Sequence, residues 1–209
     1  MKKGITKILS ACVFAFVVFL AAGTQSKAAV NMGVKQTGAG SSYVDLAWDA
    51  QLGAGHYHTQ FSQDGKNWID MDNSSSPSES VYNLTQGASY YARVVAYKGS
   101  HYTGTHVMIG VSETAIVSTK PTEVSGLTQT AAGVNSVSMS WNASAGAASY
   151  VIYGYINYNW TQIGTSATNS ATITGVAATT STRFSVAAVK NVTGGTVTGD
   201  QCSGVEMKA

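Results

Sequence analysis

Cysteine is scarce in this chain of 209 residues, which contains only two. Cys12 lies in an apolar segment that we expect to be removed, so Cys202 is the only thiol expected in the mature protein. An intrachain disulfide is therefore excluded. Cys202 has two interpretations: an inert small residue near the last strand, which we favour because nothing charged lies close by, or a reactive thiol that joins two chains.

Charge is also low, because Asp, Glu, Lys and Arg make up 11% of the residues. The first 29 residues contain four of the 12 basic residues, which leaves eight against ten acidic ones, a net charge of −2 for the remainder. Such a chain offers no basic surface to the phosphates of a nucleic acid. We therefore expect no nucleic-acid partner.

Catalytic motifs are missing as well. The sequence has no Gly-x-Ser-x-Gly elbow, no His-Glu-x-x-His pair and no phosphate-binding loop. Asp70 and Asp72 share a strand face, but no second carboxylate can be assigned opposite them, so a glycosidase pair is unsupported. We expect no enzymatic activity, no catalytic residues and no cofactor.

Residues 1–29 have the layout of a secretory signal peptide. Three lysines within the first seven residues precede a charge-free segment, 8–22, and Ser26-Lys27-Ala28 follows as a small-x-small site. The apolar segment is shorter than the roughly 20 residues of a membrane-spanning helix. We expect cleavage after Ala28 or Ala29, secretion of the product, and no stable membrane anchor afterwards.

The rest of the chain contains one module twice. Residues 33–57 align without a gap with residues 126–150, and 11 of the 25 pairs are identical. A repeat of this length indicates two copies of one folding unit. We place a first domain at 30–119 and a second at 120–209, with the boundary at Ser118-Thr119-Lys120-Pro121.

Alternating residues predict β-strands in both copies. Val44, Leu46 and Trp48 alternate with polar or small residues, and their equivalents in the second copy do the same. Asp64-Gly65 predicts a hairpin in the first copy, and Asn157-Tyr158-Asn159 predicts a turn in the second. Short strands separated by turns favour a β-sandwich for each copy.

The four tryptophans fall into two expected groups. Trp48 and Trp141 recur at equivalent alternating positions, which predicts that both lie in the core. Trp68 and Trp160 follow the turn signals, and we expect them to be partly exposed at the edge of the sheet.

These patterns resemble the fibronectin type III domain, in tandem, as it occurs in secreted bacterial proteins. The family has a Trp on strand B, a Tyr opening strand C, and Leu-x-x-Gly-x-x-Tyr before strand F; Trp48, Tyr57 and the segment 84–90 match. The resemblance implies an all-β fold of two immunoglobulin-like sandwiches. It also implies that the Tyr90 hydroxyl hydrogen-bonds to the backbone and fixes the E–F corner. Thr182 replaces this Tyr in the second copy, which we therefore expect to be less stable.

Histidines are the candidates for a metal site, although we expect none. His56 and His58 flank Tyr57 and therefore project from the same outer face of one strand. His101 and His106 lie in the predicted F–G connection, which could approach that face. Surface histidines are the favoured interpretation; a zinc or copper site would have His56 and His58 as its first ligands.

Outward-facing aromatic residues are the candidates for ligand binding. Exposed rings stack on sugars or anchor protein contacts, although tyrosine is also common on the wet face of a strand. The candidate residues are Tyr153, Tyr155 and Tyr158 in the second copy and Tyr91, Arg93 and Tyr97 in the first.

The resemblance implies a secreted, non-catalytic binding or spacer protein that presents loops and sheet faces for extracellular protein interaction or adhesion. The alternative is a carbohydrate-binding protein that uses the outward-facing tyrosines. The expected partner is accordingly an extracellular protein or a polysaccharide. We expect a monomer that is extracellular or associated with the cell surface.

Overall fold

The computed structural model describes residues 29–100, 106–178 and 181–209. The expected signal peptide lies outside these residues except for Ala29, which begins the first strand. In the described part of the chain there is no helix long and apolar enough to cross a membrane. Strands, turns and loops make up the fold.

The first half of the chain forms two sheets. Its strands are β1 (Ala29–Val30), β2 (Lys35–Ala39), β3 (Val44–Ala47), β4 (His56–Ser62), β5 (Ile69–Ser74), β6 (Ser78–Val81), β7 (Ser89–Lys98), β8 (Val107–Ser112) and β9 (Ala115–Ser118). The smaller sheet has the order β2-β3-β6, and the larger has the order β1-β8-β7-β4-β5, with β9 also pairing with β7. Only β1 and β8 pair in parallel among these strands.

The second half repeats this arrangement. Its strands are β10 (Thr128–Gly133), β11 (Ser136–Ser140), β12 (Ser149–Ile156), β13 (Asn159–Ser166), β14 (Ser170–Thr174), β15 (Thr182–Val192), β16 (Gly195–Thr198) and β17 (Val205–Met207). One sheet has the order β10-β11-β14 and the other β13-β12-β15-β16, with β17 also pairing with β15. The prediction of two tandem all-β sandwiches is confirmed.

Alternation along the strands produces a separate core in each sandwich. Val44 and Leu46 on β3 are buried, and so are Val137 and Met139 on β11, while the residues between them remain partly exposed. Burying one such side chain fully stabilises the fold by about 1.5–3 kcal/mol. A one-residue slip would expose the whole set, so burial fixes the strand register.

A Trp–Tyr pair recurs in both cores. Trp48 and Tyr57 are buried with ring centroids 5.4 Å apart at 67°, and Trp141 and Tyr150 repeat this geometry at 5.3 Å and 66°. Each tyrosine hydroxyl accepts a hydrogen bond from the backbone N–H six residues earlier, over 3.0 Å. The prediction that Trp48 and Trp141 are core residues is confirmed.

Backbone and side-chain contacts join the two sandwiches. Ile116 N–H donates to Thr193 Oγ1 over 2.7 Å, and Thr193 N–H donates to the Ile116 carbonyl over 2.8 Å. Lys120 and Asp200 form an ion pair of 2.7 Å on the surface nearby. The reciprocal hydrogen bonds tie β9 directly to the loop after β15.

A buried lysine forms a further contact across the junction. Lys190 on β15 is 4% exposed, and its ammonium group donates a hydrogen bond to the carbonyl of Gly87 in the first sandwich. Burial lowers the pKa of this lysine. A charged group removed from water in this way needs its hydrogen-bond acceptor, so the contact favours one placement of the two sandwiches.

Candidate functional site

The exposed end of the β12–β13 hairpin is the strongest candidate for a binding surface. Asn157 and Tyr158 form its loop, between the paired residues Ile156 and Asn159. Both loop residues have positive φ angles, 49° and 64°. This combination is typical of the type I′ turn, whose twist matches that of the flanking strands. The hairpin therefore holds Tyr158 at its tip in a defined conformation.

Four large apolar side chains are exposed at this end, and we call them the hairpin patch: Tyr155, Ile156, Tyr158 and Trp160. Their exposed fractions are 39%, 44%, 89% and 37%. Tyr155 lies opposite Trp160 in the strand ladder, with ring centroids 5.3 Å apart at 60°. No charged residue occurs in 149–166, so the hairpin presents a neutral aromatic surface.

Tyr153 extends the surface on the sheet face that carries Tyr155. Tyr153 lies beside Gln162 on β13 and Ser185 on β15, and it is half-buried. The structure thus places Tyr153 and Tyr155 on one sheet face and Tyr158 at its end.

Sequence reasoning missed Ile156 and Trp160 as members of the patch. A signal was available for Trp160. A two-residue turn at 157–158 puts residues 155 and 160 opposite each other, since hairpin register follows from loop length.

The C-terminal segment supports the indole of Trp160. A Cβ atom on Gly204 would lie 2.7 Å from the Trp160 ring and 3.5 Å from Arg183 Nε. Because glycine has no side chain, both the ring and the guanidinium lie against this backbone. The exposed Arg183 therefore brings one positive charge to the border of the hairpin patch.

In the first sandwich, Arg93 is engaged by its own sheet. Its guanidinium carbon lies 4.1 Å from the ring centroid of Trp68, and its Nε donates to Gln60 Oε1 over 2.7 Å. Gln60 Nε2 in turn donates to Asp70 Oδ1 over 2.7 Å. Burial lowers the pKa of Arg93, while the Asp70 carboxylate opposes the shift. These contacts leave Arg93 poorly placed to bind a ligand.

The other two first-copy candidates, Tyr91 and Tyr97, lie far apart along β7. Tyr91 is 39% exposed and lies beside Gly65 in the β4–β5 turn. Tyr97 is six residues further along β7, a distance of about 20 Å in a strand. Burial raises the pKa of the Tyr97 phenol, and the nearby Asp70 carboxylate adds to this shift.

Tyr97 instead belongs to a histidine cluster, which we define as His56, His58, Tyr97 and His106. The ring centroid of His56 lies 5.4 Å from that of His58 and 5.4 Å from that of His106. The centroids of His58 and His106 are 6.2 Å apart. Tyr97 stacks on His56 at 5.1 Å and 10°. Of the four histidines considered for this face, His56, His58 and His106 lie close together; His101 lies outside the described residues.

A shallow cleft lies between the sandwiches. It has a volume of about 370 Å³ and is lined by Gln36–Ala39, Lys120, Val192 and 194–198. Its one ionisable side chain, Lys120, is paired with Asp200. Because the lining provides no acid–base pair and no aromatic platform, we do not take this cleft as the functional site.

No protein-family model matches the chain, and no curated protein matches it. Solved structures do. A two-domain fibronectin type III segment from chicken tenascin is 17% identical with a TM-score of 0.42; the match covers 84% of this chain and 97% of that one. The chicken CNTN1 FN1–FN3 domains are 14% identical with a TM-score of 0.47; the match covers 86% of this chain and 67% of that one.

Proposed function

We propose that the chain is a secreted, non-catalytic interaction protein whose two modules, 30–119 and 120–209, present the hairpin patch to an extracellular protein partner. The observation that carries this proposal is the exposure of four large apolar side chains at one hairpin end. Aromatic side chains gathered in this way are typical anchors of protein interfaces.

The backbone at Tyr158 supports a binding role. Its φ of 64° lies in the left-handed region, which costs a residue with a side chain about 1–2 kcal/mol. Glycine is the usual residue at this position of the turn because it adopts the conformation without that cost. The Tyr158 ring is 89% exposed and so gains little from packing within the chain. A strained residue without internal compensation favours a function outside the fold.

The junction supports a presenting role for the rest of the molecule. The hydrogen bonds between Ile116 and Thr193, together with the Lys190 contact to Gly87, hold the second sandwich against the first. A surface held in place loses less conformational entropy on binding. The first sandwich then acts as a rigid spacer for the hairpin patch.

A cross-linking experiment tests this proposal. The mature chain, residues 30–209, carries a photo-reactive benzoylphenylalanine in place of Tyr158 and is added to the culture of the organism that makes it. A second protein carries the same group in place of Tyr82, which is 56% exposed in the first sandwich. We expect a protein adduct, identified by mass spectrometry, from position 158 alone.

Binding to the purified adduct partner then provides the quantitative step. We expect Tyr158→Ala to weaken the affinity about ten-fold and Tyr82→Ala to leave it unchanged, because a hot-spot ring contributes at least about 1.4 kcal/mol. Equal adducts from both positions, or equal affinities of both variants, would overturn the proposal.

Carbohydrate binding is the second candidate function, and the polar groups around the aromatic rings favour it. Tyr155 and Trp160 are partly exposed, and the exposed amides of Asn157, Asn159 and Gln162 lie around them on a hairpin that has no charged residue of its own. Aromatic faces and amides together suit the apolar faces and hydroxyl groups of neutral sugars.

Affinity electrophoresis in gels that contain soluble neutral polysaccharides separates the two candidates. If a glycan is the partner, the wild-type chain is retarded and the variants Tyr155→Ala and Trp160→Ala migrate freely, with Tyr82→Ala as the control. Free migration of the wild-type chain in every polysaccharide would remove this candidate and leave the protein partner.

A further inference from the structure

We propose that the histidine cluster of the first sandwich binds a transition-metal ion of the zinc or copper type through the imidazoles of His56, His58 and His106. This site is separate from the hairpin patch and does not depend on the proposed function. Imidazole is a preferred ligand of both ions.

The spacing of the rings is the first argument. Imidazole nitrogens bind zinc at about 2.0–2.1 Å, which places the centroids of two rings on one tetrahedral ion about 5 Å apart. In the structure the three centroid separations are 5.4, 5.4 and 6.2 Å. The rings are therefore close to the separation that one shared ion would impose.

The orientation of His56 is the second argument. Its Nδ1 lies 3.0 Å from the carbonyl oxygen of Gly99. A carbonyl only accepts hydrogen bonds, so in the neutral ring Nδ1 carries the proton and Nε2 carries the lone pair. Metal-binding histidines are commonly oriented by such a bond from the other nitrogen to a backbone carbonyl. Tyr97, stacked on the ring at 10°, fixes its plane.

The remaining two ligands, His58 and His106, are less buried than His56. Among the described residues, no group of three His, Cys, Asp or Glu side chains is arranged to hold a metal ion. His56 is buried, but His58 is half-buried and His106 is exposed. Metal binding therefore requires the rings of His58 and His106 to turn towards His56, so that the ion completes a site that is only partly formed without it.

The fold does not need these histidines, which is the third argument. His56 pairs with Tyr97 in the first sandwich, and the equivalent pair in the second sandwich is Ser149 with Val189. Val151 stands where His58 would be. The same strands form in both halves, so packing alone does not account for three clustered imidazoles in one of them.

Metal titration of the untagged, EDTA-treated mature chain tests the proposal. Added Co²⁺ is expected to produce the visible absorption of a low-coordinate nitrogen site, and equimolar Zn²⁺ is expected to abolish it and to raise the melting temperature. Each of His58→Gln and His106→Gln is expected to weaken Zn²⁺ binding at least ten-fold. Circular dichroism checks that both variants remain folded.

Gln60→Ala, on the same strand face but outside the cluster, is the matched control and should bind Zn²⁺ like the wild type. The proposal is overturned if the wild-type chain shows no cobalt absorption and no zinc-dependent melting shift. It is equally overturned if the two histidine variants retain wild-type affinity, because binding would then be due to other groups.

Discussion

The hydroxyl oxygen of Tyr90 accepts a hydrogen bond from the backbone N–H of Thr85 over 3.0 Å. This bond fixes the corner between β6 and β7, as the fibronectin type III resemblance implied. The equivalent residue in the second sandwich is Thr182, whose side chain is too short to span such a corner. The two modules therefore differ in one stabilising contact at otherwise equivalent positions.

The Tyr90 contact predicts a difference in stability between the modules. In hydrogen exchange of the mature chain under increasing urea, the strands of the second sandwich are expected to lose protection before those of the first. Tyr90→Phe is expected to lower the free energy of unfolding of the first sandwich by about 1 kcal/mol, because the Thr85 N–H loses its acceptor.

Tyr91→Phe is the control for this substitution, since Tyr91 is exposed on the neighbouring position. Earlier loss of protection in the first sandwich of the wild-type chain would contradict the expectation.

Asp64 predicts an acid-dependent loss of stability in the β4–β5 turn. Hydrogen bonds from the backbone amides of Asn67 and Lys66, and then from the Ser62 and Asn67 side chains, lower its pKa. The folded pKa of Asp64 lies below the unfolded value of about 3.9. The hydrogen bonds to its carboxylate therefore stabilise the turn fully above about pH 3.9, and this stabilisation is lost as the pH falls through the folded pKa.

Melting curves across this pH range are the measurement. Asp64→Asn is expected to melt below the wild type at pH 7, and the difference is expected to shrink in strong acid. A difference that is independent of pH would contradict the role assigned to the Asp64 carboxylate.

Lys190 predicts a stability change in the alkaline range. Burial lowers the folded pKa of Lys190 below the unfolded value of about 10.4, because the charged form is less favourable when it is buried. The free energy of unfolding is therefore highest above the unfolded pKa and declines as the pH falls through the folded value. As the pH rises towards the unfolded pKa, the melting temperature of the wild type is expected to rise relative to that of Lys190→Met. Lys120→Met, which removes only an exposed ion pair, is expected to follow the wild type; parallel curves for all three proteins would contradict the prediction.

We predict that replacing Tyr158 has opposite effects on stability and on binding. Tyr158→Gly relieves the left-handed backbone of the turn and is expected to raise the free energy of unfolding by about 1 kcal/mol in urea denaturation. Tyr155→Gly, within a strand, is expected to lower it. If Tyr158→Gly proved destabilising, the tyrosine would have a structural role and the argument from strain would fail.

We predict that the thiol of Cys202 is unreactive in the native state. The side chain is buried, and its Sγ accepts a hydrogen bond from the Val186 N–H over 3.2 Å. We expect slow reaction with a thiol reagent in buffer and complete reaction in denaturant. Rapid native labelling, or a disulfide-linked dimer on a non-reducing gel, would support the alternative of a reactive thiol.

The cores of both sandwiches could be read from the sequence because burial there follows a local rule. Val44 and Leu46 stand two residues apart, and any strand turns such residues to one face. The repeat then transferred the prediction to Val137 and Met139. Trp48, Trp141 and the Tyr90 corner were predicted by the same combination of spacing and resemblance.

The hairpin patch was predicted only in part. Alternation identified Tyr153 and Tyr155 as outward-facing, and turn chemistry identified Tyr158. The cross-strand contact of Tyr155 with Trp160 depends on the register of β12 with β13, and that register follows from the two-residue loop. Attention to the loop length would have completed this part of the site.

The sequence by itself determined that two copies of an all-β module follow one another and which residues of each strand face inward, because period-two alternation is a property of neighbouring residues. The tertiary structure decided what meets across strands and across modules. It buries Lys190 under Gly87 and brings His106 to His56, two contacts between distant parts of the chain. Such contacts depend on the paths of loops and on the docking of whole sheets. These are determined by the free energy of the complete fold, so no local sequence pattern encodes them.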